Sequence, residues 1–209
     1  LPEIHADNIS LVTRMASVEA KGISARMKMT DGVEADLSAS EASVGIPKLQ
    51  TILLGPSTAV VGLRRIEGEY VFEINTKIGK AKGGYKAVTG GDTQIDDLGV
   101  SARGKISSNP FKISIQKGSV EVKGVILNLD GDWSPSGFSI STSIPPTFCQ
   151  NLLDAVPHGM NGAISSMKMS GKADASLSIS RKGTETPSVK LDYHNGCKVT
   201  EVPNGMTTN

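Results

Sequence analysis

The sequence predicts an all-β protein: an elongated antiparallel sheet, open or folded over, with one short helix near residues 147–156. Three observations carry this. Apolar residues recur at every second position along most of the chain, Gly-containing turns punctuate those runs, and a capped apolar stripe at helical spacing stands out in one place. About half of the residues are expected in strands, on the order of ten to twelve of them. The 209 residues suit a single β-rich domain over 1–209, with long antiparallel strands through 1–143 and a helix plus hairpin over 144–203.

The first clear element is a hairpin. Ile23, Ala25, Met27 and Met29 alternate with Ser24, Arg26 and Lys28; past an Asp31-Gly32 turn, Val33, Ala35, Leu37 and Ala39 alternate with Glu34, Asp36 and Ser38. One face is apolar and the other wet. PKLQTILL, residues 47–54, lies between Pro47 and Gly55-Pro56 and is a second, weaker helix candidate. Alternation returns in Tyr70, Phe72 and Ile74, in Phe111, Ile113 and Ile115, in Val120 and Val122, and in Phe138, Ile140 and Ile144. Turns are expected at Glu67-Gly68, in the Gly-rich run 79–91, at Asp130-Gly131 and at Ser136-Gly137.

In IPPTFCQNLLDAVP, residues 144–157, Thr147 is placed to N-cap a helix with Gln150 at capping-box spacing, and Pro157 stops it near Val156. Cys149, Leu152, Leu153 and Val156 fall at i, i+3, i+4 and i+7, so the docking face includes the cysteine. A helix this short needs something to hold it. The last alternating runs are Ala173, Ala175, Leu177 and Ile179, then Val189, Leu191 and Tyr193. MKMTDGVEADLSAS from Met27 and MKMSGKADASLSIS from Met167 both read strand, Gly turn, strand. They are either two hairpins converging on one burial pattern or a repeated β-unit.

Composition excludes several classes. Lys plus Arg number 22 against 21 Asp plus Glu, so the molecule has no field able to gather nucleic acid, and no nucleic-acid partner is expected. Aromatics are 4% and glycines number 23, which implies a thin interior of small aliphatic side chains and no stacking platform for bases. The longest mainly apolar run, TILLGPSTAVVGL at 51–63, is broken by Gly55 and Pro56 and is too short to cross a bilayer. Leu1 has no basic or apolar leader behind it, so any signal peptide or anchor is expected to have been removed or to lie outside the chain.

Motifs of catalysis and metal binding fail on context. Ser165 to Lys168 spells S-x-x-K, but alternating residues follow it, with no later S-x-N or K-T-G element. His5, His158 and His194 are isolated, without zinc-site spacing. Asn128, Asp130 and Asp132 begin like a calcium loop, yet Trp133 stands where glycine is needed. No metal, cofactor or intrinsic catalysis is therefore expected. Asn8-Ile9-Ser10 is a formal glycosylation sequon. Lys77, Lys80, Lys82 and Lys86 surround a Gly pair without P-loop spacing and read as a solvated hairpin loop, with contact to lipid phosphates or an acidic polymer as the alternative. Met27, Met29, Leu37, Phe72 and Ile74 form an apolar face that either lines a groove open to lipid or packs as an ordinary interior.

Residues 144–203, under a third of the chain, carry a resemblance through Pro146, Cys149, Gln150, Pro157, Gly171 and Cys197. The stretch resembles a β-rich, AsmA-like extracytoplasmic region that precedes the catalytic domain in a group of bacterial biosynthetic peptidoglycan transglycosylases. Residues 1–143 agree only in their long alternating strands, and the catalytic glutamate signature of the glycosyltransferase is absent. The resemblance implies a noncatalytic periplasmic domain, associated with the membrane through a segment outside this chain, that positions a glycosyltransferase or its lipid-linked substrate in peptidoglycan synthesis. The alternative is an AsmA-like lipid-binding or transport module, or a secretion-system accessory protein. Expected partners are membrane lipid, a lipid-linked glycan or another cell-envelope protein. In such a compartment the only two cysteines, Cys149 and Cys197, are expected to pair and pin the helix to the sheet, the alternative being two independent buried thiols.

Overall fold

The computed structural model describes residues 3–12, 17–29, 32–45, 51–83, 93–157 and 166–201. Its elements are β1 (Glu3–Val12), β2 (Ser17–Met29), β3 (Val33–Ala39), β4 (Glu41–Gly45), β5 (Ile52–Leu54), β6 (Ser57–Ile66), β7 (Glu69–Gly83), β8 (Thr93–Ser108), β9 (Phe111–Val122), β10 (Val125–Ser134) and β11 (Gly137–Phe148). Then come α1 (Cys149–Asp154), β12 (Lys168–Ser170), β13 (Lys172–Lys182), β14 (Ser188–Asn195) and β15 (Lys198–Glu201). The fold is all-β with one short helix among the described residues, as the sequence predicts. Strands take 81% of the described residues rather than about half, because two-residue turns such as Glu67-Gly68 and Lys123-Gly124 connect long strands.

Thirteen strands form one open antiparallel sheet, with β1 and β14 as its edges, and β12 pairs β15 separately. β3 and β4 pair with β2 in one continuous register, and β6 and β5 do the same along β7, so each couple acts as one long strand. Every long strand thus lies antiparallel to its neighbours in sequence, which short hairpin connections favour. Glu67 and Gly68, at φ 52° and 87°, have the positive values of a type I′ turn, as do Lys123 and Gly124 at 48° and 78°.

A crease crosses six of these long strands. The ladder is interrupted for one or two rungs between Ala6↔Ile23 and Asn8↔Lys21, between Ser24↔Ser38 and Lys21↔Glu41, between Ala39↔Ser57 and Ala42↔Leu54, and between Ile78↔Leu98 and Lys80↔Asp96. At that level Gly22 and Asp97 have φ of 57° and 55°, left-handed values that turn the backbone while the register stays the same on both sides. Alternation therefore resumes after three residues instead of two: Ile78 and Ala81 are both buried. The apolar face stays continuous across the crease.

Total accessible surface is 14186 Å², against about 9,300 Å² for a compact monomer of 21.9 kDa. Among the described residues only Ile78, Ala81, Cys149 and Leu153 are buried apolar side chains. Extensive contacts between elements join hydrogen-bonded neighbours, apart from those of α1 with β11 and β12. The sheet is a single layer.

Several sequence expectations are corrected. Residues 52–54 of the second helix candidate are strand β5, fixed by pairing to β4 and β7, while 47–50 lie outside the described residues. Asp130-Gly131 is not a turn but lies inside β10, opposite the extra residue of a bulge in β9, and Gly131 lets Ser139 O approach to 2.5 Å from where a Cβ would stand. The two echoed segments differ in pairing: Met27 and Met29 belong to the β2–β3 hairpin, whereas β12 pairs β15 and not β13. Lys77, Lys80 and Lys82 sit in strand β7 rather than in a loop; Lys86 lies outside the described residues, as do Asp31, His158 and Ser165.

Candidate functional site

Register sorts the side chains of the sheet into two faces, since residues directly opposite point the same way. One cross-strand row reads Met29, Val33, Leu63, Phe72, Gly104, Ile115, Gly131, Ile140, Ile179, Val189. The next reads Met27, Ala35, Val61, Ile74, Ala102, Gly118, Leu129, Thr142, Leu177, Leu191. Neither row holds a charge. Met27, Met29, Phe72 and Ile74 are brought together in these rows, and Leu37, opposite Ala25 and Ala59, is in the row beyond. The glycines let the strands approach closely: Phe72 lies across Gly104, its Cζ 2.6 Å from a Cβ built there.

The row between those of Met27 and Leu37 belongs to the other face: Glu3, Arg26, Asp36, Val60, Asn75, Ser101, Ser119, Asn128, Ser143, Ser176, Asp192. Its side chains bond one another, as in Arg26 Nε to Glu3 Oε1 at 3.2 Å and the Ser101–Ser119 hydroxyl pair at 2.8 Å. The polar face is thereby satisfied in water. On the apolar face many side chains stay open to solvent, Leu63 at 38% and Ile140 at 44%, with no second layer of described residues over them. This face is an apolar trough.

At the strand ends marked by the turns Glu67-Gly68, Asn109-Pro110 and Pro135-Ser136, the trough closes with a different row: Arg65, Tyr70, Ile106, Ile113, Trp133, Phe138, Arg181. Phe111 lies beside it, edge-on to Trp133 with centroids 5.8 Å apart. Sequence reading missed this cluster because its members come from separate hairpins. The available signal was that each aromatic stands within three residues of a turn.

The opposite end carries the helix corner. Cys149 and Cys197 form a disulfide with Cα atoms 5.6 Å apart, closing 48 residues of separation. A disulfide belongs to a non-cytoplasmic setting. The helix runs over Cys149–Asp154, shorter than the 147–156 expected, and Thr147 does not cap it. Thr147 remains in β11 opposite Ala173, its hydroxyl donating to Pro145 O at 2.6 Å. Gln150 instead accepts from Met169 N at 2.9 Å, tying α1 to β12, and Lys123 Nζ donates to Asp154 O at 3.1 Å, placing a cation on the last turn. Gly171, at φ 91°, lets Gly196 O come to 2.1 Å from where a Cβ would stand.

Lys77, Lys80 and Lys82 point to the polar face, with Lys80 opposite Asp96. Among the described residues no group of His, Cys, Asp or Glu could hold a metal, and no helix is long and apolar enough to cross a membrane. No family model, curated protein or solved structure matches the chain.

Proposed function

We propose that the chain is an extracytoplasmic, periplasmic lipid-binding module without chemistry of its own, whose trough shelters acyl chains. The observation that carries this reading is the pair of charge-free rows crossing ten strands with half-exposed side chains. A patch of this extent exceeds what a monomer ordinarily shows to water, and each CH₂ buried against it gains about 0.8 kcal/mol. The bonded polar face keeps the opposite side soluble. The resemblance of residues 144–203 adds a setting in peptidoglycan synthesis: the occupant would be the tail of a lipid-linked glycan, held near a glycosyltransferase.

Gentle purification followed by native mass spectrometry and solvent extraction tests this. Phospholipid or lipid-linked disaccharide should be recovered, the second identifying the cell-wall setting. Ile74→Asp and Leu63→Asp put a carboxylate into the trough and should weaken uptake of a fluorescent fatty acid by about tenfold or more without loss of the β circular dichroism signal. Wild-type protein that carries no lipid and takes up none overturns the reading.

A further inference from the structure

The aromatic row at the hairpin end is where the geometry points to a second binding surface. We infer that this end docks on an anionic phospholipid bilayer, Tyr70, Phe111, Trp133 and Phe138 entering the interface while Arg65 and Arg181 meet lipid phosphates; this rests on the lipid-binding reading of the trough. The chain has only eight aromatic residues, three Tyr, four Phe and one Trp, and half of them gather here. Three of the four are open to solvent where a packed core would hide them, Tyr70 at 39%, Phe111 at 44% and Trp133 at 47%, and Phe138 is half-buried. Aromatic rings with one apolar and one wet side favour the headgroup level of a membrane.

The arginines supply the matching charge. Arg65 stands over the Tyr70 ring at 5.8 Å and Arg181 over the Phe138 ring at 5.6 Å, and neither has a carboxylate partner among the described residues. Glu69, the nearest acid in β7, is turned to the other face and bonded to Lys105 and Ser107. Stacked guanidinium groups remain free to bind phosphate edge-on. Six strand spacings separate the two arginines, about 29 Å, so together they address a surface of many headgroups rather than one ligand. The trough runs away from this rim, so an acyl chain leaving the bilayer would meet apolar side chains at once. Lys77, Lys80 and Lys82, near the far end of β7 and on its polar face, take no part.

Trp133 is the only tryptophan and sits within the rim, so it reports the contact directly. Adding vesicles of phosphatidylethanolamine and phosphatidylglycerol to the whole chain should shift its emission to the blue, and bromine-labelled lipid should quench it. Arg65→Glu with Arg181→Glu should weaken vesicle binding on the order of tenfold, Phe111→Ser with Phe138→Ser at least as much, and Lys80→Glu with Lys82→Glu not at all. Circular dichroism confirms that each variant is folded. An unmoved Trp133 on every vesicle overturns the inference. So does a shift that survives both rim variants, or one reproduced in full by monomeric fatty acid without vesicles. If extraction recovers lipid while Trp133 stays silent, docking fails and the trough reading stands.

Discussion

In the corner made by α1, β12 and β15, Cys149 is 1% exposed and Leu153 7%, whereas among the described residues of the long strands only Ile78 and Ala81 are buried apolar side chains, each at 8%. The corner is a small conventional core closed by a covalent bond. The sheet has almost no core and is held by its ladder, where antiparallel neighbours of ten to sixteen residues satisfy one another's backbone. Stability in the sheet is distributed over many weak increments, each of which can fail locally. In the corner it is concentrated in a few contacts. A structure that keeps an apolar face open for a ligand gives up the burial that normally closes a fold, and here the terminal segment is tied down by other means.

Removing the tie should produce the largest effect. Cys149→Ser or Cys197→Ser opens a loop spanning 48 residues, and chain entropy puts the loss at up to ~4 kcal/mol. Hydrogen exchange should accelerate at 149–154, 168–170 and 198–201 while β2 through β8 keep their protection. The urea midpoint of wild-type protein should fall when reductant is added. If it does not move, the corner is held by its packing, and the contrast with the sheet disappears.

Two glycines sharpen the comparison inside the sheet. A Cβ on Gly104, in the apolar row, would stand 2.0 Å from Ser114 O and 2.6 Å from Phe72 Cζ; one on Gly62, on the polar face, would meet only Glu73 at 3.9 Å. The Phe72 ring can swing away but the Ser114 carbonyl belongs to the ladder. Gly104→Ala should therefore cost about 1–3 kcal/mol, whereas Gly62→Ala should change stability by no more than about 0.5 kcal/mol or add to it. Equal costs in thermal unfolding would mean that the apolar face packs no more tightly than the polar one.

Much of the sheet was legible because one of its faces is polar and the other apolar, so Ile113, Ile115 and Val120, Val122 display their face directly in the sequence. The crease was not. At Ala6 to Ile9, Ala39 to Ala42 and Ile78 to Ala81 the spacing of three looks like an end of pattern, and only the register reveals that these breaks align in space. Thr147 carries a genuine capping signal, yet pairing with Ala173 keeps its backbone extended and overrides it. The disulfide pairing was readable from the count of two cysteines only together with the extracytoplasmic setting that the resemblance implies. The aromatic rim was hidden because a cross-strand row collects residues that the chain keeps far apart.

The smallest effect concerns acid and belongs to the polar face alone. The Ser107 hydroxyl donates to Glu69 Oε1 at 2.8 Å and Lys105 Nζ to Oε2 at 3.0 Å, which together hold this carboxyl below its ordinary value of 4.5. A hydrogen bond from Ser114 and the ammonium of Lys112 hold Asp132 below 3.8 in the same way. A carboxylate whose folded value is lowered binds protons more readily when unfolded. Its stabilisation is thus complete above the unfolded value and is lost as pH falls through the folded one. Both pairs are open to solvent, so salt screens them and their contribution is small. Stability should hold level down to about pH 4.5 and then decline gently, more so at low ionic strength. Glu69→Gln with Asp132→Asn should flatten that decline while exchange at α1 stays unchanged over the same range. A decline equally steep in the double variant would assign the acid sensitivity to other carboxylates and remove this distinction between the two faces.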